Sequence, residues 1–151
     1  MKYSYKISEN MAKAYGRDLS MSTKYSVEIC NSLRGLPLDK AKKKLEGIIT
    51  LKEPLYVSKH NKDTAHKKGM AAGKYPVKTA TQILGVLKNA EANAQNKGLS
   101  SNDSVIVHIC AHKAATPWHF GRKRRRKMKR TNLEVVLAEK PKKEEPDKVK
   151  K

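Results

Sequence analysis

Acidic residues are scarce in this chain. Across 151 residues, 14 Asp and Glu face 34 Lys and Arg, giving a formal net charge of +20 and a pI near 10.0. Metal-dependent hydrolysis of nucleic acids needs a converging set of carboxylates. The one acidic cluster here, Glu144, Glu145 and Asp147, falls close to the C-terminus. Cysteine is nearly missing too. Cys30 and Cys110 have neither zinc-ribbon nor redox spacing, so both are expected to be buried, reduced and inert. Aromatic residues make up 5% of the chain, with one Trp and one Phe. No apolar run approaches the length of a membrane span, and no cationic helix carries a bulky apolar face. Met1-Lys2-Tyr3-Ser4-Tyr5-Lys6 lacks the apolar core of a signal peptide, so a cytoplasmic chain is expected.

Enzymatic motifs are missing as well. No Ser, Cys or Lys stands in a recognisable nucleophile motif. Gly69-Met70-Ala71-Ala72-Gly73-Lys74 departs from a phosphate-binding loop, because its glycines are one residue too close and Tyr75 stands where the magnesium ligand belongs. His108, Cys110 and His112 share one face of a strand, but no further ligand set recurs, so no metal site is expected. The expectation is a non-enzyme without a cofactor.

What the chain does have is positive charge, far more than solubility requires. Its partner should be a dense polyanion, and nucleic acid fits better than an anionic membrane. From Arg122 to Arg130, eight of nine positions are cationic. This run lies between segments that alternate like strands, Val105 to Ala111 and Leu133 to Leu137, which places it at the end of a hairpin spanning about 104–139. Half of the Lys113 to Arg130 stretch, if extended, would reach roughly 25–30 Å beyond the body.

Elsewhere the pattern gives three helices. The first is capped by Ser22 or Thr23, buries Val27, Ile29, Cys30 and Leu33, and ends at Gly35. The second runs from about Leu38 to Leu51, and the third from Tyr75-Pro76 to Lys97-Gly98 with Val77, Ala80, Ile83, Leu84, Leu87, Ala90 and Ala94 on one face. Met11 to Leu19 reads as a short edge strand interrupted at Gly16, preceded by the alternation of Tyr3, Tyr5 and Ile7. Glu53 to Tyr75 lacks periodicity and reads as an exposed loop that orders on binding. Residues 1–140 should form one domain of α+β class, three helices on a small antiparallel sheet with a long protruding β-hairpin; Pro141 to Lys151 should be a disordered basic tail.

The candidate interface joins phosphate partners to stacking surfaces, as irregular RNA requires. The hairpin contributes Lys113, Trp118, His119, Arg122, Lys123, Arg124, Arg125, Arg126, Lys127, Lys129 and Arg130. A second patch comprises Lys59, His60, Asn61, Lys62, Lys67 and Lys68, with Lys74 and Lys78 flanking the start of the third helix. A generic chromatin-like binder of DNA or RNA is the main alternative, though no helix-turn-helix or dimer-forming heptad is evident. A nuclear localisation signal is a further reading of the basic run, and an RNA nuclease a remote one.

Several strings are more specific: Ser26-Val27-Glu28-Ile29-Cys30, Leu33-Arg34-Gly35-Leu36-Pro37-Leu38, His60-Asn61-Lys62, Tyr75-Pro76-Val77-Lys78 and Asn89-Ala90-Glu91-Ala92-Asn93-Ala94. From Ala12 to Glu139 the chain resembles the universal large-subunit ribosomal protein twenty-two family in its archaeal and eukaryotic form, numbered seventeen in the eukaryotic subunit. The resemblance implies a structural protein that binds large-subunit ribosomal RNA, helps assemble it and lies near the outer end of the polypeptide exit tunnel. It also implies a hairpin that runs inward to line the tunnel wall and meet the nascent polypeptide, with other large-subunit proteins as neighbours. It adds Arg17, Lys24 and Arg34 to the residues expected to meet RNA. The tip of this hairpin is unusually dense in Lys and Arg, and such a protrusion is expected to order on binding.

Overall fold

The computed structural model describes residues 3–8, 10–100 and 103–139. The C-terminal tail from Pro141 onward therefore lies outside the described residues. The elements run β1 (Met11–Leu19), α1 (Thr23–Leu33), α2 (Leu38–Ile49), β2 (Leu55–Tyr56), β3 (Gly73–Lys74), α3 (Val77–Asn96), β4 (Ser104–Lys113) and β5 (Thr131–Glu139). The α+β class and the three helices agree with the pattern of apolar residues. β1, β5 and β4 form an antiparallel sheet in that order, so the last strand occupies the centre.

Helix α3 packs on β1 and β5, α1 packs on β4, and α2 lies against α3. Alternation explains the core along β1 and β5, while in β4 a register shift between Ile106 and His108 brings Ile106 and Ile109 to the same face. Ala12 and Ala14 of β1, Leu133, Val135 and Leu137 of β5, and Ile106 and Ile109 of β4 meet Ile83, Leu87, Ala90 and Ala94 of α3, all within one buried cluster. Full burial of each Leu or Ile contributes about 1.5–3 kcal/mol before the entropy cost of ordering it. Small residues set the spacing of α3 above β1. A Cβ at Gly16 would lie 2.7 Å from Leu19 Cδ1 and 2.9 Å from Val86 Cγ2, so any larger residue would push these two side chains aside.

Gly16 accordingly does not interrupt β1. The strand runs through it and its register with β5 shifts only between Gly16 and Leu19. There Asp18 has φ 50° and its amide donates to Asn132 Oδ1 at 2.8 Å. Ser22 holds the N-cap position of α1 without a side-chain cap bond. Thr23 instead turns its hydroxyl to Thr131 Oγ1 at 2.8 Å. Gly35 ends the turn after α1 at φ 78°. Helix α2 ends at Ile49, and Leu51 sits beyond it at φ 61°, exposed.

The stretch from Glu53 to Tyr75 is more ordered than its lack of periodicity implies. β2 and β3 pair antiparallel, the Val57 amide donates to Ala72 O at 2.9 Å, and Leu55, Val57 and Ala72 are buried. Cys30 is buried as expected, whereas Cys110 is only half-buried. Burial pushes the Cys30 thiol up to about 12, with the neighbouring Cys110 adding to the effect, so it stays protonated and unreactive.

Candidate nucleic-acid interface

Sheet and hairpin are one continuous ribbon. Beyond Lys113 and Thr131 the arms remain joined by backbone hydrogen bonds: Ala114 N to Arg130 O at 3.2 Å, Met128 N to Pro117 O at 2.8 Å and His119 N to Arg126 O at 2.8 Å. A single 3-10 turn (Gly121–Lys123), with Gly121 at φ 61°, closes the end. The hairpin expected to order on binding is thus paired along much of its length, with a short tip. Around that tip, Arg122, Lys123, Arg124, Arg125 and Arg126 surround a hollow of about 520 Å3. Trp118 is 59% exposed with Lys127 Nζ 4.5 Å from its ring centre, and Phe120 is 85% exposed.

At the hairpin root, Thr131 Oγ1 donates to Met21 O at 3.2 Å and meets the Thr23 hydroxyl, tying the start of α1 to the start of β5. Two clefts flank this junction. The first, of about 610 Å3, separates the hairpin residues His119, Lys127, Met128, Lys129 and Arg130 from Met21, Tyr25 and the first turn of α3 with Tyr75 and Lys78. The second, of about 580 Å3, adds Lys24, His60, Asn61, Lys113 and Thr116, and shares Ser22, Tyr25, Lys129 and Arg130 with the first. No Asp or Glu lines either cleft. The uncapped first turns of α1 and α3 border the first cleft and add partial positive charge from their free amides.

His60 and Asn61 reach the second cleft because of Glu28. This buried carboxylate on α1 accepts from Ser58 N at 3.2 Å, Ser58 Oγ at 2.9 Å, Lys59 N at 2.6 Å and His60 N at 2.8 Å. Burial by itself would raise its pKa, but these four donors outweigh that and hold it below the usual carboxylate value. Asn61 follows at φ 59°, a conformation that asparagine tolerates, and its carbonyl accepts from Thr64 N at 3.1 Å and Thr64 Oγ1 at 2.8 Å.

The candidate residues separate into three groups. Lys24, His60, Asn61, Lys78, Lys113, His119, Lys127, Lys129 and Arg130 converge on the two clefts, and the Arg122–Arg126 run crowns the tip. Lys59, Lys62, Lys67, Lys68 and Lys74 are exposed on and after the intervening loop; Lys74 Nζ lies 5.5 Å from the Tyr25 ring centre and Lys67 Nζ 5.7 Å from that of Tyr75. Arg17 and Arg34 stand apart from these clefts. Arg17 pairs with Asp18 at 3.3 Å, and Arg34 donates through Nη2 to Ile109 O at 3.0 Å, bracing α1 on β4. Residue-type reasoning passed over Tyr25, Tyr75, Met128 and Glu28. The signal for the tyrosines was local: each directly follows a lysine.

The other face of the sheet carries a different cluster. His108 and His112 approach the two oxygens of buried Glu134 at 3.6 and 3.5 Å, and Ser4 donates to that carboxylate through its amide at 3.1 Å and its hydroxyl at 2.6 Å. Tyr5 stacks on His108 and Tyr3 packs edge-on against Tyr15, so residues 3–5 lie across this face. Burial opposes ionisation of Glu134, yet the Ser4 bonds and then the two histidines hold its pKa low. Among the described residues, no group of three His, Cys, Asp or Glu is arranged to hold a metal ion.

Comparison with known proteins decides the family. Residues 14–138 match the family model described as ribosomal protein L22p/L17e. The chain belongs to that family. The large ribosomal subunit protein uL22 of Methanosphaera stadtmanae is 42% identical to it over 147 residues, covering 91% of this chain and 96% of that protein. The proteins of the same name from Methanopyrus kandleri and Staphylothermus marinus are 41% and 39% identical, covering 87% and 91% of this chain and 88% and 96% of theirs. The L22p/L17e match runs from inside β1 to near the end of β5, so it takes in the helices, both clefts and the whole hairpin. A family of ribosomal proteins accords with a site that has cations and rings but no catalytic constellation.

Proposed function

We propose that this protein is a structural constituent of the large ribosomal subunit, in the cytoplasm, which binds large-subunit ribosomal RNA and aids its assembly. Its hairpin lines the polypeptide exit tunnel and meets the nascent polypeptide, and its neighbours are other large-subunit proteins near the tunnel exit. Residues 1–140 act as one RNA-binding domain. The observation that carries the reading is the acid-free cationic surface running from the two clefts at the hairpin root to the Arg122–Arg126 tip. RNA phosphates neutralise such a surface, and release of their counterions supplies binding free energy. Lys24, Lys78, Lys113, Lys129 and Arg130 contact the backbone near the body. The tip cations engage RNA packed around the hairpin, while Trp118 and Phe120 offer rings to bases or to the nascent chain.

Crosslinking in cells, followed by sequencing of the attached RNA and mapping of the crosslinked peptides, tests this. Crosslinks concentrated in large-subunit ribosomal RNA, with hairpin peptides on tunnel-wall nucleotides, are expected. Crosslinks scattered over messenger RNA or DNA would overturn the reading in favour of a generic basic binder.

A further inference from the structure

We propose that the cleft between the hairpin root and the first turns of α1 and α3 receives a single RNA base swung out of its helix. In this site the base stacks among Tyr25, Tyr75 and His119 while Lys78, Lys129 and Arg130 hold the flanking phosphates. The inference rests on the RNA-binding reading above and goes beyond it by naming a discrete nucleobase site.

The lining of the cleft separates this ligand from a bare phosphate. A phosphate needs cations and amides, and three rings and the thioether of Met128 add nothing to its binding. A base uses all of them: rings stack on its faces, polarisable sulfur fits its edges, and cations at the rim meet the phosphates on either side. The volume of about 610 Å3 is that of a pocket for a compact ligand. Tyr25 and Tyr75 are half-buried between hairpin and body, unlike exposed Trp118 and Phe120. A paired base inside an A-form helix cannot reach them, because side chains do not enter its narrow major groove. Lys74 and Lys67, poised over the two tyrosine rings, keep cationic charge beside the stacking surface. With no carboxylate in the lining, nothing repels the backbone that carries the base.

The test uses the full chain and three synthetic RNA stems of equal length: one fully paired, one with a single bulged uridine, and one with an abasic nucleotide at the bulge. The bulged uridine is expected to bind roughly 5- to 150-fold more tightly than the abasic stem, the range for one base stacked on aromatic rings. Tyr25→Leu with Tyr75→Leu should abolish that difference while leaving the slope of log affinity against log salt unchanged, since no cation is removed. As a readout independent of these variants, a photoreactive uridine in the bulge should crosslink to the peptides containing Tyr25 or Tyr75. Equal binding of the bulged and abasic stems, or crosslinks confined to Trp118 and Phe120, would overturn the base site. RNA binding would still stand in that case. Binding of all three stems without salt dependence would instead undo the RNA-binding reading itself.

Discussion

From Ala114 to Arg130 no residue is buried, whereas the strand that follows buries six of its seven residues from Thr131 to Leu137. The chain passes between these regimes within one residue. Below the boundary, side-chain burial fixes the conformation. Above it, the same two arms are held by backbone rungs and a glycine turn, which make no demand on side-chain type. The hairpin is therefore free to carry nine cations and no acid between Lys113 and Arg130, a composition that no packed core would accept.

Four perturbations sharpen the contrast, beginning with the largest change in stability. Ile83→Ala, which empties a fully buried site beneath the sheet, should cost about 2–5 kcal/mol in a denaturant titration while the folded fraction keeps the salt dependence of RNA binding. Next comes Glu28→Ala, which leaves three backbone amides without their acceptor; about 2–3 kcal/mol is expected, and amide exchange should rise at Ser58, Lys59 and His60 ahead of the rest of the body. Acid should act on the body in a smaller, graded way. Glu28 and Glu134 both have folded pKa values held below their unfolded ones, so their contribution is fully present above the ordinary carboxylate range and fades as pH falls through the depressed values. Denaturation midpoints taken through the acid range should decline there, and Glu134→Gln should flatten part of that decline. The smallest stability change belongs to the hairpin. Replacing Arg122, Lys123, Arg124, Arg125 and Arg126 with Gln should leave the thermal midpoint near that of the parent, while the RNA salt slope drops by roughly 0.7–0.9 for each phosphate that is no longer neutralised.

Much of this arrangement is legible in the sequence because burial leaves a periodic trace. Ala80, Ile83, Leu87, Ala90 and Ala94 announce α3, and the alternation around the basic run announces both hairpin arms, although the register shift between Ile106 and His108 buries Ile106 in place of the expected Val105 and Val107. The features that escape reading are those between distant segments. Nothing local places β5 between β1 and β4, since strand order depends on pairings more than a hundred residues apart. Glu28 reads as a solvated charge because its partners are backbone amides, which leave no mark on residue type. Tyr25 and Tyr75 lie in separate helical starts and meet only when the hairpin root folds against both. The family resemblance supplied the proposed role of the hairpin; it did not supply the cleft.

The central position of β5 also has a consequence in time. Met11 pairs with Ala138, so β1 leaves a ribosome well before β5, the strand it pairs with, is complete. At translation rates of about 5–20 residues/s, the interval is roughly 6–24 s. During that wait the three helices can condense first, with α3 covering the apolar side of β1. The sheet can be completed only when β5 pairs with β1 on one side and β4 on the other, and the cationic hairpin, whose second arm leads into β5, takes its shape no earlier.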